Sequence, residues 1–264
     1  MAGLLANNKC LIVGVANRRS IAWGIAQAMH REGADLAFAY AIERLKENVD
    51  ELADSLKGGA RFPRIQCNLS DDAQIAALYG QLAEHWGGRL DTLVHSVGYA
   101  RTEDLEGSFA NISRDGYKEA QEISAYSLIA CTRPAVPLFE AAGGGSVITL
   151  TYVAGERVVP NYNVMATAKA ALECNVRYLA ADLGPKNVRV NAISAGPIRT
   201  LAASAVKGVG QFRDIMVEHA PLRRNVDQGE VGDVAVFLAS SLSRCVTGET
   251  IFADNGFNIL GVVL

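Results

Sequence analysis

The sequence predicts an α/β fold: one doubly wound parallel sheet of about seven strands, with helices on both faces. Three observations predict it. Short β-branched runs alternate with longer helix-period segments from end to end, the pattern of right-handed crossover units. Most of those runs are apolar throughout, as strands are when both of their faces are covered. Half of the 264 residues are apolar and a fifth are charged, a globular composition with material for one large core.

Strands are expected at Cys10–Val15, Asp35–Tyr40, Arg64–Leu69, Thr92–Val97, Ser146–Thr151, Val188–Ile193 and Glu249–Ala253, with helices beginning near Ser20, Glu43, Asp71, Ser113, Asn161 and Glu230. The first strand runs into Gly14-Val15-Ala16-Asn17-Arg18-Arg19-Ser20-Ile21-Ala22-Trp23-Gly24. Gly14 can make the tight turn, Gly24 can let the helix approach the sheet, and Ser20 caps a helix N-terminus. Free N–H groups and the dipole there favour a pyrophosphate. The segment lacks the Gly-x-Gly-x-x-Gly pattern of the common Rossmann-like unit, so it reads equally as a strand, a polar loop and a capped helix.

The second strand ends at Tyr40-Ala41, without the acid that often holds a ribose 2′-hydroxyl and without an adjacent Arg for a 2′-phosphate. That leaves NADH and NADPH both open, with NADH favoured. Asn68 and Leu69 end the third strand, where they border an adenine or merely close the strand. Ser96-Val97-Gly98 end the fourth, where a nicotinamide-side ribose passes or a plain turn follows. Gly143–Gly145 is a loop leading from a helix into the fifth strand. After the sixth strand the rhythm breaks over Thr200–Pro221, a helical stretch carrying Gly208 and Gly210. An insertion near 200–221, at the carboxyl end of a strand, is a candidate lid. The chain 1–264 otherwise reads as a single domain.

The net charge of −3 offers no reason to expect nucleic acid or an anionic membrane as partner. The five scattered cysteines form no Cys-x-x-Cys pair, which reads as reduced, mostly buried thiols of a cytoplasmic protein rather than disulfides or zinc ligands. No apolar stretch approaches bilayer length, and no secretory leader is evident. His30, His85, His95 and His219 stand apart from metal-ligand spacings and are read as surface or packing residues; no metal is expected. Trp23 and Met29 fit helical core spacing, and Tyr126 reads as a core or interface residue.

The segment after the fifth strand carries the chemistry. It reads Thr151-Tyr152, then Pro160-Asn161-Tyr162-Asn163-Val164-Met165-Ala166-Thr167-Ala168-Lys169. With Asn161 as cap, Tyr162 opens a helix that continues through Lys169. Seven positions are nearly two turns, which puts both side chains on one face about 10 Å apart along the axis. A phenol can donate to a developing oxyanion, and an ammonium can bind ribose hydroxyls and strengthen the phenol as an acid.

These stretches resemble the short-chain dehydrogenases/reductases and, among them, the bacterial enoyl-[acyl-carrier-protein] reductases. The resemblance rests on Gly14–Gly24, Ser96-Val97-Gly98, Ile123-Ser124-Ala125-Tyr126-Ser127, Tyr152 with Pro160–Lys169, Ile193–Ala202 and Val246-Thr247-Gly248-Glu249. Most of the superfamily carries Tyr-x-x-x-Lys, but position 165 is Met here and the spacing is Tyr-x6-Lys. The longer spacing suits a conjugated thioester: hydride goes to the β-carbon while charge develops on an oxygen two carbons away, so the donor must shift relative to the nicotinamide.

The resemblance implies reduction of a trans-2-enoyl thioester on acyl carrier protein in fatty-acid elongation, with NADH as cofactor, by a cytoplasmic homotetramer. It implies catalytic roles for Tyr162, Lys169 and Tyr152. It implies cofactor contacts from Gly14, Ser20, Ile21, Ala41, Asn68, Leu69, Ser96, Val97, Gly98, Lys169, Gly196, Ile198 and Thr200. On the substrate side it implies Ala100, Tyr152, Tyr162, Ala202, Ala203, Val206 and Phe212. Asn68 departs from the usual Asp, Ala166 from the usual Gly, Ala41 from an often polar residue, and Asn255 from a smaller one. The rival functions are a short-chain ketone or alcohol dehydrogenase, which Met165 disfavours, and a nucleotide-binding regulator without turnover.

Overall fold

The computed structural model describes residues 3–200, 203 and 207–261. All seven expected strands are present: β1 (Lys9–Val13), β2 (Asp35–Tyr40), β3 (Arg64–Gln66), β4 (Thr92–His95), β5 (Gly145–Thr151), β6 (Val188–Ala195) and β7 (Thr250–Ala253). They form one sheet in the order β3-β2-β1-β4-β5-β6-β7, and every pairing is parallel. The order reverses between β1 and β4, which opens the ligand crevice at their carboxyl ends.

Alternation along each strand feeds two cores. On β1, Cys10 and Ile12 face one layer while Leu11 and Val13 face the other. The first layer is closed by α1 (Ile21–Arg31), α2 (Lys46–Asp54) and α8 (Gln228–Ala239), the second by α3 (Asp72–Trp86), α5 (Ser127–Ala142) and α6 (Asn163–Leu183). Trp23 and Met29 lie in the first core, as their spacing predicts. Further α-helices among the described residues are α4 (Arg114–Gln121) and α7 (Val209–His219), the latter inside the 200–221 stretch.

Local signals account for several boundaries. Asp71 accepts from the N–H groups of Ala73 and Gln74 at the start of α3, and left-handed Gly87 ends that helix. Asp227 and Glu230 form a reciprocal capping box at the start of α8. Gly24 differs from its expected role, since what it admits is a neighbouring helix and not the sheet. A Cβ there would fall 2.4 Å from the Gln228 carbonyl oxygen at the start of α8. Between α4 and α5 the chain makes a π-turn over Glu122–Tyr126, a local widening of the helix that often occurs at functional sites. Among the described residues no helix is long and apolar enough to cross a membrane.

Candidate active site

The cofactor end is built at the β1–β4 crevice. Gly14 has φ +100°, and a Cβ on it would lie 2.1 Å from the Ser96 carbonyl oxygen. Only glycine fits the turn, and it brings the two strand ends together. Ser20 occupies the N-cap position of α1, but its hydroxyl does not bond the helix. It accepts instead from the N–H groups of Ala16 and Asn17, at 3.1 Å each, and so pins the preceding loop. The expected cap is thus a loop brace. The N–H groups of Ile21 and Ala22 keep no partner among the described residues. Free donors at a helix start, behind a tight glycine turn, fit a pyrophosphate.

The other expected cofactor residues lie beyond the carboxyl ends of β2, β3 and β6. Ala41 is exposed just beyond β2, and Leu69 is buried. Asn68 turns its side-chain oxygen onto the Ser70 N–H at 3.1 Å, so it shapes a turn. Ile198 packs in the core that also holds Val15, and Gly196 is buried beside Val226 and Met216. The Thr200 hydroxyl accepts from the Ala203 N–H at 3.0 Å. Ala202 and Val206 lie outside the described residues.

The catalytic candidates converge at the ends of β4 and β5. Asn161 is not the cap expected of it: it sits at φ +60°, and its amide donates to the Lys207 carbonyl at 3.1 Å. Tyr162 itself takes the N-cap position, and α6 starts at Asn163. The Tyr162 and Tyr152 rings lie 5.1 Å apart between centroids, tilted by 58°. Burial pushes the Tyr152 phenol up to about 12 and the Tyr162 phenol higher still. Both therefore remain protonated at neutral pH and can donate.

Lys169 is buried, and its Nζ donates to the Leu150 carbonyl at 2.8 Å. Burial pushes the ammonium down to about 8, with the Glu173 carboxylate acting in the opposite direction. One donor is used on Leu150, so two remain for ribose hydroxyls. A Cβ at Gly98 would stand 3.8 Å from Lys169 Nζ, 3.9 Å from Met165 Cε and 4.0 Å from Ser124 Oγ. The glycine ending the fourth strand and the lysine on α6 thus face the same space. Ala100 and Tyr162 pack against one small apolar cluster that contains Met165, Val164 and Leu105.

Ser124 and Glu173 belong to this neighbourhood without an expected role, and His95 packs beside them. Ser124, on the π-turn, donates to the Tyr99 carbonyl at 3.0 Å and accepts from the Tyr99 N–H at 2.9 Å. It fixes the loop that carries Gly98 and Ala100. Buried His95 contacts Thr149 Oγ1 at 3.0 Å and Ser127 Oγ at 2.9 Å. Burial, with the Lys169 charge nearby, pushes it down to about 3, so it is neutral in use. It is a packing residue, as its isolation in the sequence implies. Glu173 is an acid one turn beyond Lys169, a spacing that could have marked it.

On the substrate side, Tyr152, Val153, Pro197, Phe212 and Met216 line a small, mostly apolar pocket. Phe212 and Met216 belong to α7, so that helix walls this space. Arg213 holds the stretch by donating to the Pro197 carbonyl at 3.1 Å.

A family model described as Enoyl-(Acyl carrier protein) reductase matches residues 14–258. The chain belongs to the enoyl-[acyl-carrier-protein] reductase family. It is 51% identical to the NADH enoyl-[acyl-carrier-protein] reductase of Bacillus cereus, over 98% of this chain and 99% of that one. Its identity to the Escherichia coli enzyme of the same name is 45%, over 97% and 96%. Among solved structures, the Bacillus cereus reductase with NADP+ and an indole naphthyridinone superposes with a TM-score of 0.95 at 49% identity, covering 98% of this chain and 100% of that one. The Anaplasma phagocytophilum reductase with NAD gives 0.94 at 41%, covering 100% and 98%.

Proposed function

We propose that this chain reduces the trans-2 double bond of an enoyl thioester carried on acyl carrier protein, with NADH as reductant, in fatty-acid elongation. The observation that carries the reading is a pair of protonated phenols in ring contact at the start of α6, with a buried ammonium two turns on beside Gly98 and Met165 where a ketone reductase has its tyrosine. A thioether cannot donate to an oxyanion. When bound, the dinucleotide supplies a hydride to the β-carbon.

The protein's own groups do the rest. Gly14, Ser20 and the open N–H groups of Ile21 and Ala22 hold the pyrophosphate, and Ser96, Val97 and Gly98 line the ribose path. Asn68, Leu69 and Ala41 border the adenosine, while Gly196, Ile198 and Thr200 border the carboxamide side. Lys169 binds the ribose hydroxyls. Tyr162 donates to the oxygen that becomes the enolate, Tyr152 lines the acyl side with Ala100, Ala203 and Phe212, and the α-carbon then takes a proton.

The stretch near 200–221 closes over the acyl chain of a single catalytic unit spanning 1–264. The ties of Arg213 to Pro197 and of Asn161 to Lys207 support that role. Exposed tyrosines on the α4–α6 side, Tyr126 at 44% and Tyr178 at 76%, support assembly as a homotetramer, which light scattering on the purified protein checks. The five free cysteines fit a cytoplasmic setting.

The test is oxidation of reduced nicotinamide, followed by absorbance, with NADH and NADPH each paired with crotonyl and 3-oxoacyl thioesters. Consumption of NADH with crotonyl substrate is the expected result. Turnover of the 3-oxoacyl substrate alone would replace the reading with a ketone reductase, and tight NADH binding without any turnover would replace it with a regulator.

A further inference from the structure

Lys169 and Glu173 stand four positions apart on α6, and both are buried, Glu173 at 6% exposure. Each grips a successive residue at the end of β5. Lys169 Nζ donates to the Leu150 carbonyl at 2.8 Å, and Glu173 Oε1 accepts from the Thr151 hydroxyl at 2.6 Å. The next residue is Tyr152. The turn after it passes so close that a Cβ on Gly155 would lie 3.0 Å from the same carboxylate oxygen. A buried carboxylate one helical turn from a buried ammonium offsets part of the cost of burying that charge.

We propose that Glu173 is a positioning residue of the reaction: held by the Thr151 hydroxyl and hemmed in by the turn at Gly155, it is the counter-charge that keeps the Lys169 ammonium charged in its buried seat. This rests on the reading of Lys169 as the ribose-binding group. The charged and titratable groups around the pair are few. Arg177 on α6 and Glu156 on the loop after β5 act on Glu173 from opposite signs. His95 on β4 faces Lys169 but is neutral through the working range. Burial raises the Glu173 carboxyl and lowers the Lys169 ammonium; the Thr151 hydroxyl chiefly favours the ionised carboxylate, and that carboxylate in turn favours the charged lysine.

The sign follows directly. Lys169 works as a cation, so activity and NADH binding fall as pH rises through its pKa. Removing the nearby negative charge lowers that pKa and brings the fall to lower pH. Charges at i,i+4 spacing across a partly screened interior are worth about one pH unit.

The experiment measures NADH affinity by fluorescence, and kcat/KM on crotonyl thioester, from pH 6 to 10. In Glu173→Gln the alkaline fall is expected about one unit lower in both quantities, and Glu173→Asp is expected to return most of the shift. Thr151→Val removes the donor that keeps the carboxyl ionised. It should move the fall in the same direction by less, and it carries the test if Glu173→Gln does not fold. Folded Glu173→Gln with an unmoved fall in either quantity overturns the proposal, as does an unmoved Thr151→Val profile. Lys169→Ala separates the two readings: if it keeps wild-type NADH affinity, the role given to Lys169 fails and this one with it. If it loses affinity while Glu173→Gln keeps the wild-type profile, only the role of Glu173 fails.

Discussion

Replacing Tyr162 by Phe removes one oxygen atom and tests the mechanism with little structural disturbance. The Tyr162 hydroxyl has no hydrogen-bond partner among the described residues, so its loss leaves no buried group unsatisfied. The ring contact with Tyr152, 5.1 Å between centroids, survives the change. Stability should therefore move by less than about 1 kcal/mol, close to what neutral side-chain changes give. Catalysis should not be spared. Loss of one preorganised donor to a developing oxyanion costs roughly 10²–10³-fold in kcat, or about 3–4 kcal/mol. Tyr152, with its phenol at about 12, is the nearer rival donor, and Tyr152→Phe in parallel shows how the task is divided. The assay is steady-state NADH oxidation with crotonyl thioester, alongside thermal unfolding of both variants. A Tyr162→Phe enzyme that keeps more than about a tenth of the wild-type kcat would refute the assignment.

Gly14→Ala must place a Cβ 2.1 Å from the Ser96 carbonyl at φ +100°. It is expected to cost about 2–4 kcal/mol and to weaken NADH binding, read by urea unfolding and by fluorescence titration. An unchanged unfolding midpoint would contradict that. Ser124→Ala unties both bonds to Tyr99. It should lower kcat/KM by about tenfold or more, with a loss of about 1–3 kcal/mol in stability. In the wild-type enzyme, kcat/KM should fall as pH rises through about 8, where Lys169 loses its proton. The direction follows because burial lowers an ammonium that acts as a cation. A profile flat from pH 7 to 10 would contradict it.

The sheet is legible because most strands announce themselves locally, as short, mostly apolar runs such as 10–13 and 147–150. Its edges are less so. β1, β3 and β4 stop short of the apolar signal at Val13, Gln66 and His95, since the chain leaves the sheet there to make the crevice loops. β6 runs on to Ala195 because Ser194 and Ala195 find ladder partners in Phe252 and Ala253. Those partners are distant in sequence, so no local pattern reveals them. The same division holds at the site. Tyr162 and Lys169 share one helix, and their spacing can be read directly. Ser124 meets Tyr99 across 25 positions, so only the folded chain puts them together. Ser20 and Asn161 were expected as caps because both residue types commonly cap helices. The loop before α1 claims the serine hydroxyl, and the turn before α6 uses the tolerance of Asn for a left-handed backbone.

The π-turn at Glu122–Tyr126 amounts to one surplus residue in an otherwise continuous helical run from Arg114 to Ala142. It has a bearing on laboratory evolution. Deleting one residue there would restore regular α-helical bonding, and a screen that rewards heat resistance alone has reason to find such a deletion. The repaired helix would turn Ser124 about 100° around its axis and release the Tyr99 backbone. A population enriched for hardiness would thus drift toward inert protein, and the two selections could be told apart by the length of this one segment.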